Sequence, residues 1–223
     1  MIFSAMLFYF DFISPYAYLA WTQLPALAAR HERELVPVPV LFAALLNAHG
    51  QKGPAEIPAK RIYLFKDVCR KAHLLGLPPV VPPPAHPFNP LLALRAATFP
   101  ADKDPAGQRR LIDELFAATW AGGGGVETDA AVGACAERAG FDAAAVLAYA
   151  HSEAAKLTLR QHTEQALGHG VFGVPTIAVA QELFWGTDSL PALQAYLLGN
   201  DPLTHDSLRR WEALRPSATR TPR

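Results

Sequence analysis

Cysteine is scarce in this 223-residue chain, which contains only Cys69 and Cys135. Two cysteines are too few for a disulfide scaffold or for a cysteine-built metal cage. The eight histidines are scattered, and none forms an H-E-x-x-H pair. No G-x-G-x-x-G or P-loop motif is present either, because the glycine run 122–125 lacks a following phosphate-binding lysine. The sequence therefore predicts no metal site and no phosphate-binding loop.

An excess of charge of either sign is also missing, since 20 Lys and Arg balance 20 Asp and Glu. This balance argues against a nucleic-acid partner and against a polybasic membrane surface. No apolar run approaches the roughly 20 residues that a bilayer-spanning helix needs. The amino-terminal region carries Asp11 and lacks the basic start of a secretory signal. We therefore expect a cytoplasmic protein that does not bind membranes.

The pattern of apolar residues predicts a strand over 7–12, a helix over 16–30 and an extended segment over 34–40. Pro37 and Pro39 restrict that segment to a sheet edge, because proline cannot donate to a strand ladder. Helices are then predicted over 56–75, 90–99, 105–120, 128–139, 142–150 and 152–167. A hairpin over 176–185, turning at Gln181-Glu182, and a last helix over 190–198 complete the chain.

The resulting order is strand-helix-strand, a helical block, then strand-strand-helix, which predicts an α/β fold with a parallel first pair of strands. Neither strand set alone makes a full sheet, so we expect one split domain with a helical insertion. The predicted boundaries are 6–44 plus 168–200 for the split domain, 45–167 for the insertion and 201–223 for a carboxyl-terminal extension. Its tail, from about residue 216, is predicted to be disordered.

This order resembles the thioredoxin fold, in which redox members carry a C-x-x-C motif where this chain has Ser14-Pro15-Tyr16-Ala17. Disulfide exchange needs a thiolate and a resolving thiol. Because both cysteines are absent, dithiol oxidoreductase activity is excluded at this site.

Five ordered runs make the resemblance more specific: FYFDFISPYAYLA, LLNAHGQKGPAEIPAKRIYLFKD, HPFNPLLALRA, GVFGVPTIAV and LFWGTDSLPAL. Over roughly residues 6–200, the chain resembles the 2-hydroxychromene-2-carboxylate isomerase family. That family is close to the kappa-class glutathione transferases, and both are thioredoxin-like with a helical insertion.

The resemblance implies a homodimeric, glutathione-dependent isomerase of aromatic-compound catabolism. Its reaction converts 2-hydroxychromene-2-carboxylate to trans-o-hydroxybenzylidenepyruvate by reversible addition of the glutathione thiolate. Two alternatives stay open. One is a kappa-like transferase that conjugates small electrophiles, and the other is a non-catalytic thioredoxin-like module that binds peptides beside Pro175.

Ser14 is the predicted catalytic residue. It precedes Pro15 at a strand-to-helix junction, where free N–H groups favour an anion and can lower the pKa of a thiol. The resemblance implies that the serine hydroxyl donates to the glutathione thiolate. The alternative is a plain helix cap, and one serine can do both.

The resemblance also implies a glutathione-binding set around Ser14. Thioredoxin-like folds keep a cis proline at the position of Pro175, which would point the Val174 backbone at an extended peptide. Thr187 and Asp188 match residues that bind the γ-glutamyl end; the alternative is that they only cap the last helix. Lys60 matches a lysine that contacts the glycyl carboxylate.

Other candidates are weaker. Gln51 stands where the family commonly has Asn, with Asn47 as a local substitute. His162 stands where isomerase relatives often have Asn, which leaves the exact substrate open. Five residues are candidates for a small-aromatic substrate pocket, although a loop histidine, a helix cap and core aromatics are the alternatives: Phe12, Tyr16, His86, Asn89 and Trp185.

Overall fold

Four strands form one mixed sheet in the order β2-β1-β3-β4. Their bounds are β1 Met6–Phe10, β2 Leu35–Pro39, β3 Thr176–Val179 and β4 Glu182–Trp185. Strand β1 pairs with β2 in parallel and with β3 antiparallel, and β4 extends the sheet as a hairpin with β3. This computed structural model describes residues 5–99 and 103–218. The predicted parallel pair, the edge position of the proline-containing strand and the α/β class are confirmed.

The helices surround this sheet and fill most of the chain between β2 and β3. Their bounds are α1 Pro15–Trp21, α2 Leu24–Arg30, α3 Phe42–Ala48, α4 Pro58–Leu74, α5 Leu91–Ala96, α6 Pro105–Trp120, α7 Asp129–Arg138, α8 Ala143–His151, α9 Glu153–Gly168, α10 Leu190–Leu197 and α11 His205–Glu212. Single 3₁₀ turns occupy Pro54–Glu56 and Thr187–Ser189. Helices α3 and α11 were not predicted from the sequence.

Side-chain caps explain several of the helix starts. Ser14 accepts a hydrogen bond from the Ala17 N–H, and Ser152 accepts one from the Ala155 N–H, each at 3.2 Å. Such caps satisfy N–H groups that have no partner within the helix. The two serine caps predicted from the sequence are confirmed.

The single helix predicted over 16–30 is wrong, because α1 ends at Trp21 and α2 begins at Leu24. Pro25 explains the break. It has no N–H to donate to the Trp21 carbonyl, and its ring clashes with a carbonyl four residues earlier in a continuous helix.

The hairpin turn is one residue earlier than predicted. Val179 pairs with Glu182, so the two turn residues are Ala180 and Gln181. Ala180 adopts a positive φ of 54°, a conformation that tight hairpin turns require. The sequence contains no glycine or asparagine here to mark that position.

Aromatic rings join the split domain to the insertion. The Phe116 ring on α6 lies 5.5 Å from the Phe10 ring and 4.7 Å from the Phe12 ring, measured between centroids. Trp21 packs against the same group. The strands and the insertion therefore share one core cluster. The predicted domain boundaries stay a prediction about where the chain leaves and re-enters the split domain.

The carboxyl terminus beyond α11 is irregular over residues 213–218. Residues 219–223 of the predicted disordered tail lie outside the described residues. Among the helices of the described ranges, none is long and apolar enough to cross a membrane.

We expect Phe116→Ala to lower the free energy of unfolding by about 3–5 kcal/mol, because it leaves a cavity between the two parts of the fold. Denaturant unfolding followed by circular dichroism and by fluorescence measures the change. One coincident transition supports a shared core, and two separated transitions contradict it. As a control, Trp211→Ala on the surface of α11, where the ring is 53% exposed, changes stability by less than about 1 kcal/mol.

Candidate active site

A cavity of about 660 Å³ opens where β1 ends and α1 begins. Its walls come from the β1–α1 turn, α3, the segment before α4, the proline-rich loop before α5 and the segment before β3. This volume is in the range of small-molecule sites. Seven of the residues predicted for the site line it: Ser14, Tyr16, Gln51, Lys60, His86, Val174 and Trp185.

Ser14 lies in the cavity wall and is 7% exposed. Its Oγ accepts the Ala17 N–H, and its own N–H donates to the Asp11 carbonyl at 3.1 Å. Within the described residues the hydroxyl has no acceptor for its proton. It can therefore donate that proton to an anion while it still caps α1.

The turn that carries Ser14 is held by the insertion. The Trp120 indole donates to the Phe12 carbonyl at 2.8 Å, and His86 Nε2 donates to the Ile13 carbonyl at 2.9 Å. Because a carbonyl only accepts, Nε2 must carry the proton. These two bonds fix the backbone immediately before Ser14.

His86 therefore has a structural role at the cavity wall. Its ring lies 5.4 Å from the Phe65 ring and 5.5 Å from the Trp120 ring. Burial lowers the pKa of His86, and the nearby Arg61 charge lowers it further. A neutral imidazole with its proton on Nε2 leaves Nδ1 as an acceptor, and Nδ1 is buried without a partner in the described part of the chain.

Asp11 is a site residue that the sequence interpretation missed. The residue belongs to the cavity wall, and its carboxylate is fully buried and accepts two backbone N–H bonds, from Ile13 at 3.0 Å and from Phe42 at 2.9 Å. Burial raises the pKa of Asp11 to about 7, although the two amide bonds oppose that shift. The available signal was a lone acidic residue within an otherwise apolar run.

Tyr16 supplies a ring to the wall, and its hydroxyl proton is already engaged. The hydroxyl donates to Asp67 Oδ2 at 2.8 Å. Lys71 pairs with the same oxygen at 2.8 Å and lies 5.0 Å from the centre of the Tyr16 ring. Burial and the hydrogen bond to Asp67 raise the pKa of Tyr16, so its phenol stays protonated.

The Val174–Pro175 peptide bond is cis, as the thioredoxin resemblance implies. Val174 lines the cavity, whereas Pro175 is buried behind it and accepts the Gly186 N–H at 2.9 Å. At the cavity mouth, the Trp185 and Phe172 rings meet edge to face with their centroids 5.1 Å apart.

The opposite side of the cavity is polar and exposed. Gln51, Lys60 and the alternative Asn47 line it, and Lys52 adds a second ammonium group. In the sequence, the 3₁₀ turn Pro54–Glu56 lies between Lys52 and Lys60. The Glu56 carboxylate accepts the Gly53 N–H. This side can therefore receive a carboxylate.

Two predicted pocket residues do not line the cavity. The Phe12 side chain is fully buried and packs on the Phe10 and Phe116 rings, because the chain turns at Asp11 and directs that side chain into the core. The Asn89 side chain is exposed and accepts the Leu91 N–H at 3.1 Å, next to the start of α5. The pocket assignments of Phe12 and Asn89 are therefore wrong.

Thr187 and Asp188 line a separate, smaller cavity of about 190 Å³. The prediction that they cap the last helix is wrong, because they form a 3₁₀ turn and α10 begins without a side-chain cap. Thr187 Oγ1 is buried and has no hydrogen-bond partner in the described part of the chain. Its role in glutathione binding stays a prediction.

His162 does not line the main cavity. Its ring hydrogen-bonds the Pro39 backbone, and burial lowers its pKa. The adjacent Thr163 accepts the Leu41 N–H at 3.0 Å. This part of α9 therefore holds the backbone at the start of α3, one of the elements that form the main cavity.

Within residues 5–99 and 103–218, no group of three or more His, Cys, Asp or Glu side chains is arranged to hold a metal ion. The site is instead one hydroxyl with a free proton beside a buried carboxyl group. Fold and site together define a thioredoxin-like protein with Ser14 in place of the first redox cysteine and Ala17 in place of the second.

A family model described as a DSBA-like thioredoxin domain matches residues 5–198. The chain is 32% identical over 195 residues to 2-hydroxychromene-2-carboxylate isomerase of Sphingobium xenophagum, covering 86% of this chain and 96% of that one. It is 26% identical over 202 residues to glutathione S-transferase kappa 1 of Rattus norvegicus, covering 86% and 89%. A solved structure of 2-hydroxychromene-2-carboxylate isomerase superposes with a TM-score of 0.80 at 27% identity, covering 94% and 98%.

The chain therefore belongs to the 2-hydroxychromene-2-carboxylate isomerase family, within the DSBA-like thioredoxin fold. This confirms the family predicted from the five sequence runs and the thioredoxin-like architecture with helices inserted between its two halves.

We expect ionisation of Asp11 to destabilise the fold. Its pKa is about 7 in the folded protein, against an ordinary value of 3.8 that we take for the unfolded chain. The folded state therefore binds the proton more tightly. As a result, the free energy of unfolding falls as the pH rises between these two values. Relative to Asp11→Asn, the native chain should lose roughly 2–3 kcal/mol between pH 5 and pH 8. Urea unfolding at several pH values measures this difference, and a pH-independent difference contradicts it.

Proposed function

We propose that this protein is a glutathione-dependent isomerase that converts 2-hydroxychromene-2-carboxylate to trans-o-hydroxybenzylidenepyruvate. One observation carries the proposal: the Ser14 hydroxyl keeps a free proton in the wall of a cavity with an apolar and a cationic side. The relatives named for this isomerisation, and those named as glutathione transferases, support it.

The residues around Ser14 fit glutathione. Lys60 and Gln51 offer an ammonium and an amide group for a terminal carboxylate. Val174 offers its backbone beside the cis proline for pairing with an extended peptide. Thr187 Oγ1 is buried without a partner in the described part of the chain, but it belongs to the separate, smaller cavity, so its contact with glutathione stays a prediction of the sequence.

When bound, glutathione supplies a thiolate nucleophile whose reversible addition to the conjugated, ring-opened substrate lets a former double bond rotate. The Ser14 hydroxyl donates to the sulfur and stabilises its anionic form, which lowers the pKa of a thiol from about 8.5. Helix α1 has only seven residues, so we attribute most of this stabilisation to the hydroxyl.

The other walls suit a flat aromatic molecule. Tyr16, Phe42 and Trp185 provide rings, and Ile13 and Leu46 provide aliphatic surface. Because the Tyr16 hydroxyl is occupied by Asp67, Tyr16 contributes shape rather than acid catalysis. The homodimer, the cytoplasmic location and the place in aromatic catabolism stay predictions of the sequence.

We expect Ser14→Ala to lower kcat/KM for glutathione-stimulated isomerisation by roughly 10²-fold, as for loss of one donor to a developing anion. The loss is larger at lower pH, where less free glutathione is ionised. Ser152→Ala is a matched control, because Ser152 caps α9 with the same 3.2 Å bond outside the cavity. Each variant loses about 1 kcal/mol of stability, and only Ser14→Ala loses activity.

The assay also separates the alternatives. Conjugation of a chlorinated nitrobenzene without isomerisation of the chromene favours a kappa-like transferase. Absence of glutathione binding contradicts both enzymes and favours the peptide-binding module. Full activity of Ser14→Ala contradicts the assignment of Ser14.

We expect Lys60→Ala to raise the KM for glutathione roughly twofold to fivefold with little change in kcat, because an exposed ion pair contributes modest, uniform binding. Lys66→Ala is the control, since Lys66 is exposed on the same helix but does not line the cavity. Steady-state kinetics with varied glutathione measures both. An unchanged KM in Lys60→Ala contradicts its assignment.

A further inference from the structure

Asp11 and Ser14 face the same cavity from one turn. The Ser14 N–H donates to the Asp11 carbonyl at 3.1 Å, and a turn closed in this way keeps its first and fourth Cα atoms within about 7 Å. Both residues contribute to the cavity wall, where Ser14 is 7% exposed and Asp11 is fully buried. A charge on Asp11 is therefore close to any anion that binds at the Ser14 hydroxyl.

The Asp11 carboxyl group has amide partners but no cation among them. Its two oxygens accept the N–H groups of Ile13 and Phe42, and these bonds stabilise the ionised form. Full burial opposes ionisation, and the balance brings the pKa of Asp11 to about 7. The carboxyl group can therefore gain or lose a proton near neutral pH at little cost.

We propose that Asp11 and the thiolate site are coupled through one proton, so that glutathione binds beside Ser14 as a thiolate while Asp11 becomes protonated. This inference rests on the proposed glutathione site and assigns Asp11 a role in regulating its charge. The Asp11 carboxylate and a bound thiolate are both negative and would repel each other in a buried site, so one of the two groups takes up a proton.

The number of protons balances when glutathione binds. Before binding, the glutathione thiol holds a proton and Asp11 is ionised. After binding, the thiol proton is gone, Asp11 holds one proton, and the net charge of the site is unchanged. At mildly alkaline pH, where unbound Asp11 is mostly ionised, binding then releases little or no proton to the buffer.

Other titratable groups face the same region from each packed element. His86 holds the Ile13 carbonyl through Nε2 and is neutral, and Tyr16 stays protonated. Because His162 bonds the Pro39 backbone, it is separated from the cavity by the wall. The remaining groups at the cavity rim are Lys52, Glu56 and Lys60, all exposed to solvent, which screens their charges.

Isothermal titration calorimetry of glutathione binding, in buffers of different ionisation enthalpy, counts the protons released. At pH 7.5 we expect about 0.2 proton released by the native protein and about 0.9 by Asp11→Asn, from pKa values of about 7 for Asp11 and about 8.5 for a free thiol. S-methylglutathione, which cannot form a thiolate, should exchange almost no protons with either protein. Equal proton release by the native and Asp11→Asn proteins overturns the inference.

Asp113→Asn is the control, because Asp113 accepts a hydrogen bond from the Trp21 indole at 2.6 Å and does not line the cavity. It should keep the native proton count. If glutathione does not bind to the native protein, the proposed function fails; if it binds with release of a full proton, only the Asp11 coupling fails.

Asn offers one acceptor oxygen where Asp11 offers two, so a second measurement avoids any loss of stability in Asp11→Asn. The native protein then provides the test through infrared difference spectra with and without ligand at pH 7.5. Glutathione should increase the protonated-carboxyl band, and S-methylglutathione should not. No increase with glutathione overturns the inference.

Discussion

The backbone of the turn between β1 and α1 is the constraint on which the site depends. Asp11 binds the Ile13 N–H from within the turn, while His86 and Trp120 bind the Ile13 and Phe12 carbonyls from the insertion. The Trp120 bond is buried and the other two are partly buried, and a hydrogen bond left unmade in a buried place is costly. Ser14 follows directly, so its hydroxyl position is set by contacts between distant parts of the chain.

This arrangement explains how a thioredoxin-like fold can serve chemistry without a redox cysteine. The fold still provides a capped helix start beside a cis proline. Serine retains the ability to donate to an anion but cannot form a disulfide. Under the proposed function, the nucleophile comes from a bound thiol, and the protein contributes orientation, charge balance and a cavity of suitable size.

Much of the fold and part of the site followed from local patterns. The Ser14-Pro15 helix start, the edge strand at Pro37 and the cap at Ser152 depend on neighbouring residues, and each was predicted correctly. The break before Pro25 and the turn at Ala180 were missed. The break has a local cause, because proline cannot continue a helix. At Ala180 the local sequence has no glycine or asparagine, and the surrounding packing selects the positive φ.

The sequence by itself determined the family and the serine at the position of the first redox cysteine, because these depend on residue identity and order. Tertiary structure decided which side chains meet. It directed Phe12 into the core, placed Thr187 in a second cavity and buried Asp11 at the wall beside Ser14. Burial and convergence depend on how distant segments pack, so a raised carboxyl pKa near the Ser14 hydroxyl is a property of the folded chain alone.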